Sequence, residues 1–450
     1  MREFDVVVIG AGAAGEVAAG RLGLNGLSVA IVEHSLVGGD CSFYACMPSK
    51  ALLRPVELAN EVRRVPGLEV GPIDSAAVLA RRDEVIHNLD DSSQLPWLEQ
   101  RNVTLVRGRA RISGKLQVDV EGQESLTARR AVVVATGSTA SVPDIPGLRE
   151  AKPWTNRNAT TAHEVPARLG ILGGGVVGVE MAQAWGALGS QVTLLHRGER
   201  LLEREEPFAG EQVLASLREL GVDVHLRTSV TRVERNGAFA LTLDDGAGVE
   251  VDELLVAVGR TPGTSGIGLE TLGLEAGRPL GVGDDLRVPG HDWLFAVGDV
   301  NGRVQLTHMG KYQGRLAADA ILGRSVKLRS DGGRSPRVIF TDPQVGAVGL
   351  TLGAAQEAGI NVRHVDVETS GNAGGSFIGH GAPGTSRLVV DEQRRVVVGA
   401  TITGAEIAEA LHAATIAVVA EVSLDDLWHA VPSFPTRSEL WLRLLEAYGL

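Results

Sequence analysis

Apolar residues bunch into short runs along this chain, and two of the runs carry the same punctuation. Val6-Val7-Val8-Ile9 leads into Gly10-Ala11-Gly12-Ala13-Ala14-Gly15, a small-residue stretch follows, and a further apolar run ends at Glu33. Leu169-Gly170-Ile171-Leu172 leads into Gly173-Gly174-Gly175-Val176-Val177-Gly178, and the run after the next small-residue stretch ends at His196. Unbroken apolar runs suit strands buried on both faces. The order therefore predicts strand, turn, helix, strand twice, over 4–33 and 169–197. Residues 51–64 and 76–100 predict helices, and 103–135 predicts short strands with turns. Residues 337–349 and 386–402 predict strands, and 405–421 an Ala-rich amphipathic helix. The Gly/Arg/Ser stretch 323–336 reads as a linker.

Both turns have the pattern GxGxxG. Gly10, Gly12 and Gly15, and again Gly173, Gly175 and Gly178, permit a tight turn and let backbone N–H groups approach a pyrophosphate at a helix N-terminus. Two copies, each inside a strand–helix–strand pattern, predict two dinucleotide sites. The residue 23 places beyond the first glycine differs between them: Glu33 in the first, His196 in the second. An acidic side chain there accepts from a free ribose 2′-OH, so Glu33 suits the adenosine of FAD or NAD. His196, with Arg197 and Arg200 close behind, would attract a 2′-phosphate. NADPH is accordingly expected in preference to NADH at the second site.

The chain has 450 residues, 44% of them apolar and 22% charged, which predicts a globular protein of roughly two to four domains. A net charge of -12 argues against sequence-independent nucleic-acid binding, which relies on clustered Lys and Arg. No apolar run reaches the ~20 residues that span a bilayer, so no membrane association is expected. Arg2-Glu3-Phe4 runs straight into the first strand, unlike a signal peptide, and a cytoplasmic location is expected. The only cysteines are Cys41 and Cys46. A close pair in a cytosolic chain points to catalysis or metal binding rather than a disulfide framework. A Cx4C pair at the start of a helix sets two sulfurs within bridging reach, and helix N–H groups stabilise a thiolate.

The stretch Gly38-Gly39-Asp40-Cys41-Ser42-Phe43-Tyr44-Ala45-Cys46-Met47-Pro48-Ser49-Lys50 resembles the signature of the pyridine nucleotide–disulfide oxidoreductases. So do Ala135-Thr136-Gly137, Gly259-Arg260-Thr261-Pro262, Ala296-Val297-Gly298-Asp299, Phe340-Thr341-Asp342-Pro343 and Val348-Gly349-Leu350-Thr351. The resemblance runs through nearly the whole chain. It implies an α/β fold: two Rossmann-like dinucleotide-binding domains, for FAD and NAD(P), plus a C-terminal α+β dimerisation domain. The expected division is 1–145 and 265–325 for FAD, 146–264 for NAD(P) and 335–450 for the dimer interface. The resemblance also implies that Cys46 faces the flavin and Cys41 attacks substrate. Lys50 would pair with Glu180 beside flavin and nicotinamide. Gly39, Thr136, Gly137, Gly259 and Arg260 would line the cofactors, Asp299 would contact the ribityl chain, and His308 would lie near the isoalloxazine. No metal site is expected.

One motif departs from the family. Dithiol–disulfide members carry His-Pro-Thr-x-x-Glu near the C-terminus, where the His exchanges thiol protons and the Glu orients it. Here the segment reads Phe434-Pro435-Thr436-Arg437-Ser438-Glu439. Phenylalanine transfers no proton, and a positioned base typically contributes ~10²–10⁴-fold. His429, His308 and Tyr44 are the candidate replacements. The reaction expected is electron transfer from NAD(P)H through a Cys41–Cys46 disulfide to a disulfide or related small acceptor. Dihydrolipoamide dehydrogenase proper is an alternative, and so is a quinone or metal-ion reductase working at the flavin, with Phe434 stacking on a planar acceptor. In the family, the C-terminal motif of one subunit completes the site of the other. A homodimer is therefore expected, with Phe434 and Glu439 facing Cys41 of the partner subunit.

Overall fold

The computed structural model describes residues 2–382 and 384–450. The chain forms two compact units. The first takes Met1–Pro48, Asp83–Ser141 and Gly259–Gly332; the second takes Ser49–Arg82, Val142–Val258 and Gly333–Leu450.

The first unit is built on a parallel sheet. Strand Arg2–Ile9 lies between Val29–Glu33 and Leu126–Val134; Val103–Arg107 extends one side and Leu294–Ala296 pairs with Leu126–Val134 on the other. Val6, Val7 and Val8 are fully buried, because both faces of this strand are covered, which is why its sequence does not alternate. The antiparallel strands Ala110–Gly114 and Gln117–Val120 complete the sheet. Helix Ala13–Leu24 follows the first glycine turn and packs along helix Thr307–Ile321.

The second unit repeats the plan. Strands Asp223–Leu226, Gln191–His196, Arg168–Leu172 and Glu253–Val256 form a parallel sheet, with helix Val176–Ala187 after the second glycine turn. Trp185 of that helix is fully buried in the core. Beyond residue 333 comes a five-stranded antiparallel sheet, ordered Arg337–Ile339, Gln344–Gly349, Val396–Gly404, Thr385–Asp391 and Val362–Glu368. Helices Leu411–Val419 and Leu440–Tyr448 cover one face of it. The region expected for NAD(P) and the region expected for the dimer interface thus belong to one compact unit.

Several expected elements differ in extent; the stretch 386–402, for one, falls in two antiparallel strands, Thr385–Asp391 and Val396–Gly404. The helix expected over 76–100 stops at Val85, where His87, Asn88 and Leu89 take the left-handed conformation; a short helix, Leu95–Glu99, restarts with Pro96 in its first turn. The helix expected over 405–421 is confined to Leu411–Val419, because Glu406 has positive φ in the preceding turn. The strand expected over 337–349 breaks between Ile339 and Gln344 around the cis peptide Asp342–Pro343. Among the described residues no helix is long and apolar enough to cross a membrane.

Candidate functional site

The first glycine turn has the geometry of a pyrophosphate cradle. A Cβ on Gly10, at φ +101°, would lie 2.5 Å from the Ala135 carbonyl oxygen, and one on Gly15 would collide with the Gly10 carbonyl oxygen. Both close the turn onto the sheet. Gly12 does the opposite: it caps helix Ala13–Leu24 with no side chain bonded there, and a Cβ added to it would meet nothing closer than the Gly39 Cα at 4.0 Å. Backbone N–H groups at the helix start are left facing an open side, as an anion requires. Glu33 is buried; its Oε2 accepts from the Ala11 N–H at 2.8 Å and its Oε1 from the Ser35 N–H at 2.7 Å. The carboxylate therefore holds the turn while keeping lone pairs for a ribose hydroxyl.

Next to this turn sit the sulfurs. Cys41 lies in the short helix Gly39–Phe43, and Cys46 is the first residue of helix Cys46–Arg64. The expected single helix start is thus two helices. Both cysteines are free thiols and half-buried. The Cys46 Sγ is 3.3 Å from Thr307 Oγ1, the hydroxyl on the first residue of helix Thr307–Ile321. The hydrogen bond that the Cys41 thiol donates to Cys46, burial, and the charge of Cys46 push the Cys41 thiol well above its ordinary value; Thr307 and Lys311 pull the other way. Cys46 stands at a helix N-terminus, where a thiolate is stabilised. Thr307 carried no sequence signal beyond its place at the start of Thr307-His308-Met309, because its thiol partner lies 261 residues away.

A polar network stands behind the sulfurs. The Arg260 guanidinium donates to Ser138 Oγ at 2.6 Å, to the Ser138 carbonyl at 2.8 Å and to Asp40 at 3.1 Å, so it is a strut within the protein. Ser138 Oγ in turn donates to Asp299. Thr136 Oγ1 donates to the Gly263 carbonyl, and Gly137 turns at φ +66°. Gln313 is fully buried; its Oε1 accepts from the Gly298 N–H and from Asn301, while its Nε2 has no hydrogen-bond partner among the described residues. An uncapped helix start, a carboxylate at the strand end and an orphaned buried amide beside Asp299 fit a dinucleotide lying along this unit. His308 is exposed on the first helical turn, and Tyr44 is half-buried at the end of the Cys41 helix.

In the second unit, Gly173 and Gly178 make the same close approaches, and Gly175 is open. His196 turns back onto this loop: its Nδ1 accepts from the Gly174 N–H at 3.1 Å, just as Glu33 accepts from Ala11 in the first unit. The other ring nitrogen, Nε2, is buried with no hydrogen-bond partner among the described residues. Arg197 is exposed, whereas Arg200 is tied to the carbonyls of Glu203 and Glu205. Gly259, where the chain re-enters the first unit, has φ +152°. The Lys50 Nζ lies 2.7 Å from Glu180 Oε2, and Glu180 is buried.

The C-terminal loop presents Phe434 with 76% of its surface exposed. Glu439 Oε2 accepts from the Gly374 N–H at 3.3 Å, a bond that braces loop against loop. His429 is exposed at the end of helix Leu424–His429. Phe377 and Val431 are also strongly exposed on this unit. Among the described residues no group of His, Cys, Asp and Glu could hold a metal ion.

Comparison with known proteins covers nearly the whole chain. The model of the pyridine nucleotide-disulphide oxidoreductases matches residues 4–314, and that of their dimerisation domain matches residues 335–444. A mercuric reductase from Staphylococcus aureus is 31% identical over 446 residues, covering 97% of this chain and 81% of its own. A dihydrolipoyl dehydrogenase from Haloferax volcanii is 33% identical over 461 residues, covering 98% and 95%. Among solved structures, the Cu(II) complex of the HOCl-induced flavoprotein disulfide reductase RclA from Escherichia coli superposes with a TM-score of 0.87 at 26% identity, covering 99% of each chain.

Proposed function

This chain belongs to the pyridine nucleotide-disulphide oxidoreductases, and on that premise we propose that it is an NAD(P)H-dependent reductase whose electrons leave through the Cys41–Cys46 pair. The observation that carries this is the asymmetry of the two sulfurs. Cys46 has the Thr307 hydroxyl and a helix N-terminus to hold a thiolate, while the Cys41 thiol is kept protonated. FAD, when bound, supplies the means to accept hydride from the nicotinamide and hand an electron pair to the disulfide. Glu33 and the Gly12 turn would bind it, with Asp299 and Gln313 along its length. Lys50 and Glu180 serve as the charge pair for hydride exchange. In balance, NAD(P)H, a proton and the disulfide give NAD(P)⁺ and the dithiol.

The acceptor follows from the C-terminal loop. Phe434 donates no proton, and Glu439 is already bonded to the Gly374 backbone. These favour an acceptor that needs no proton delivered to a leaving thiolate, such as a metal ion taking one electron at a time or a quinone. A Cu(II) ion in the structure of the similar RclA agrees with that class. The dimerisation domain supports a homodimer in which Phe434 faces Cys41 of the partner subunit. We infer a preference for NADPH over NADH, with the exposed Arg197 beside the second turn as the group that meets a 2′-phosphate.

The test is an anaerobic titration with NADPH, watching for the long-wavelength absorbance of a thiolate against oxidised flavin. The band is expected in the wild type and lost in Cys46→Ser. An acceptor panel of lipoamide, low-molecular-weight disulfides, quinones and Cu(II) then ranks the substrates. Turnover of lipoamide at rates matching the metal ion or quinone would refute the reading of Phe434, and retention of all activities by Cys41→Ser would move the exit to the flavin.

A further inference from the structure

Lys50 has a second neighbour besides its carboxylate. Its Nζ lies 4.7 Å from the centroid of the Phe340 ring, inside the ~6 Å reach of a cation–aromatic contact. The same residue touches the other half of the pair: the Phe340 N–H donates to Glu180 Oε1 at 2.9 Å. Both oxygens of the buried carboxylate are thereby used, one by the ammonium and one by the Phe340 backbone. That fixes the carboxylate's orientation, and the ring closes off a second direction for the ammonium.

Phe340 is itself held by the two helices that carry the pair. Two residues on, Asp342 accepts from Arg64 at 2.6 Å and from Asn60 at 2.7 Å, both on the Lys50 helix. Its N–H donates to Gln183 Oε1 at 2.8 Å, on the Glu180 helix. A lysine stem has four rotatable bonds, so one carboxylate alone would leave the ammonium free to swing. We propose that Phe340 is a positioning residue for hydride exchange, its ring face and its backbone N–H together holding Lys50 and Glu180 in a single arrangement. This rests on the reading that the Lys50–Glu180 pair serves that exchange.

The test uses the holoenzyme and four variants: Phe340→Leu, Phe340→Tyr, Lys50→Met and the double variant Phe340→Leu/Lys50→Met. Leucine keeps the backbone N–H and an apolar side chain but removes the aromatic face, whereas tyrosine keeps the face. The first readout is the rate at which Lys50 is acetylated by a water-soluble N-hydroxysuccinimide ester, measured by peptide mass. It is expected to rise about threefold or more in Phe340→Leu and to stay at the wild-type value in Phe340→Tyr. The second is anaerobic flavin reduction by NADPH. The limiting rate is expected to fall roughly three- to tenfold in Phe340→Leu, with half-saturation unchanged, and the same change should have no further effect in Lys50→Met. Wild-type labelling of Lys50 in Phe340→Leu, or a loss that adds in full to that of Lys50→Met, would overturn the proposal. If Lys50→Met itself reduced flavin at the wild-type rate, the assignment of the pair to hydride exchange would fall, while the labelling would still decide whether Phe340 holds Lys50.

Discussion

Replacing Glu16 with glutamine tests how burial competes with helix and ion at the first nucleotide turn. Glu16 lies in the first turn of helix Ala13–Leu24, where the helix dipole favours an anion. Yet burial pushes its carboxyl from an ordinary 4.5 up to about 7; Lys311 opposes that rise and Glu33 adds to it. Below pH 4.5 both folded and unfolded chains hold the proton, and the contribution to stability is complete. Between 4.5 and 7 the unfolded chain ionises first, so stability falls as pH rises, and it falls no further once the folded carboxyl has titrated. At ~1.4 kcal/mol per pKa unit, discounted because the side chain is only half-buried, the loss above pH 7 is about 2–3 kcal/mol. Glu16→Gln cannot ionise and avoids it. Thermal unfolding of wild type and variant should differ by under ~1 °C at pH 5 and by about 2–3 °C in favour of the variant at pH 8, for a chain of this size. A difference that stays constant with pH, or a variant less stable at pH 8, would show that the Lys311 interaction or the dipole outweighs burial.

Three other outcomes follow from the same geometry. Thr307→Val removes the hydroxyl 3.3 Å from Cys46, so the pH midpoint for alkylation of the first thiol should rise by about one unit. Gly39→Ala puts a Cβ 2.8 Å from the Gly12 Cα at a position with φ +64°, and should cost about 1–3 kcal/mol in denaturant titration and release FAD on gel filtration. His196→Glu places a carboxylate where a 2′-phosphate is expected and should shift the ratio of kcat/KM for NADPH over NADH toward NADH by roughly tenfold or more.

The sequence by itself determined the parts whose geometry is local. Glycines that turn a chain, apolar runs that fill a parallel sheet, and a cysteine pair with four residues between its members act over a few residues, so spacing alone announces them. The family signatures extended this reading to the fold class, and the departure at Phe434 was legible as a single letter. Tertiary structure decided how these parts are held. Thr307 reaches Cys46 across 261 residues, Arg260 reaches Asp40 across 220, and Phe340 meets Glu180 across 160. His196 read as a phosphate ligand, but only the fold turned its Nδ1 onto the Gly174 N–H and drew Arg200 onto nearby carbonyls. The physical reason is that a side chain's chemistry is set by the residue, whereas its partner is set by whichever backbone the packing of helices and sheets brings within about 3 Å.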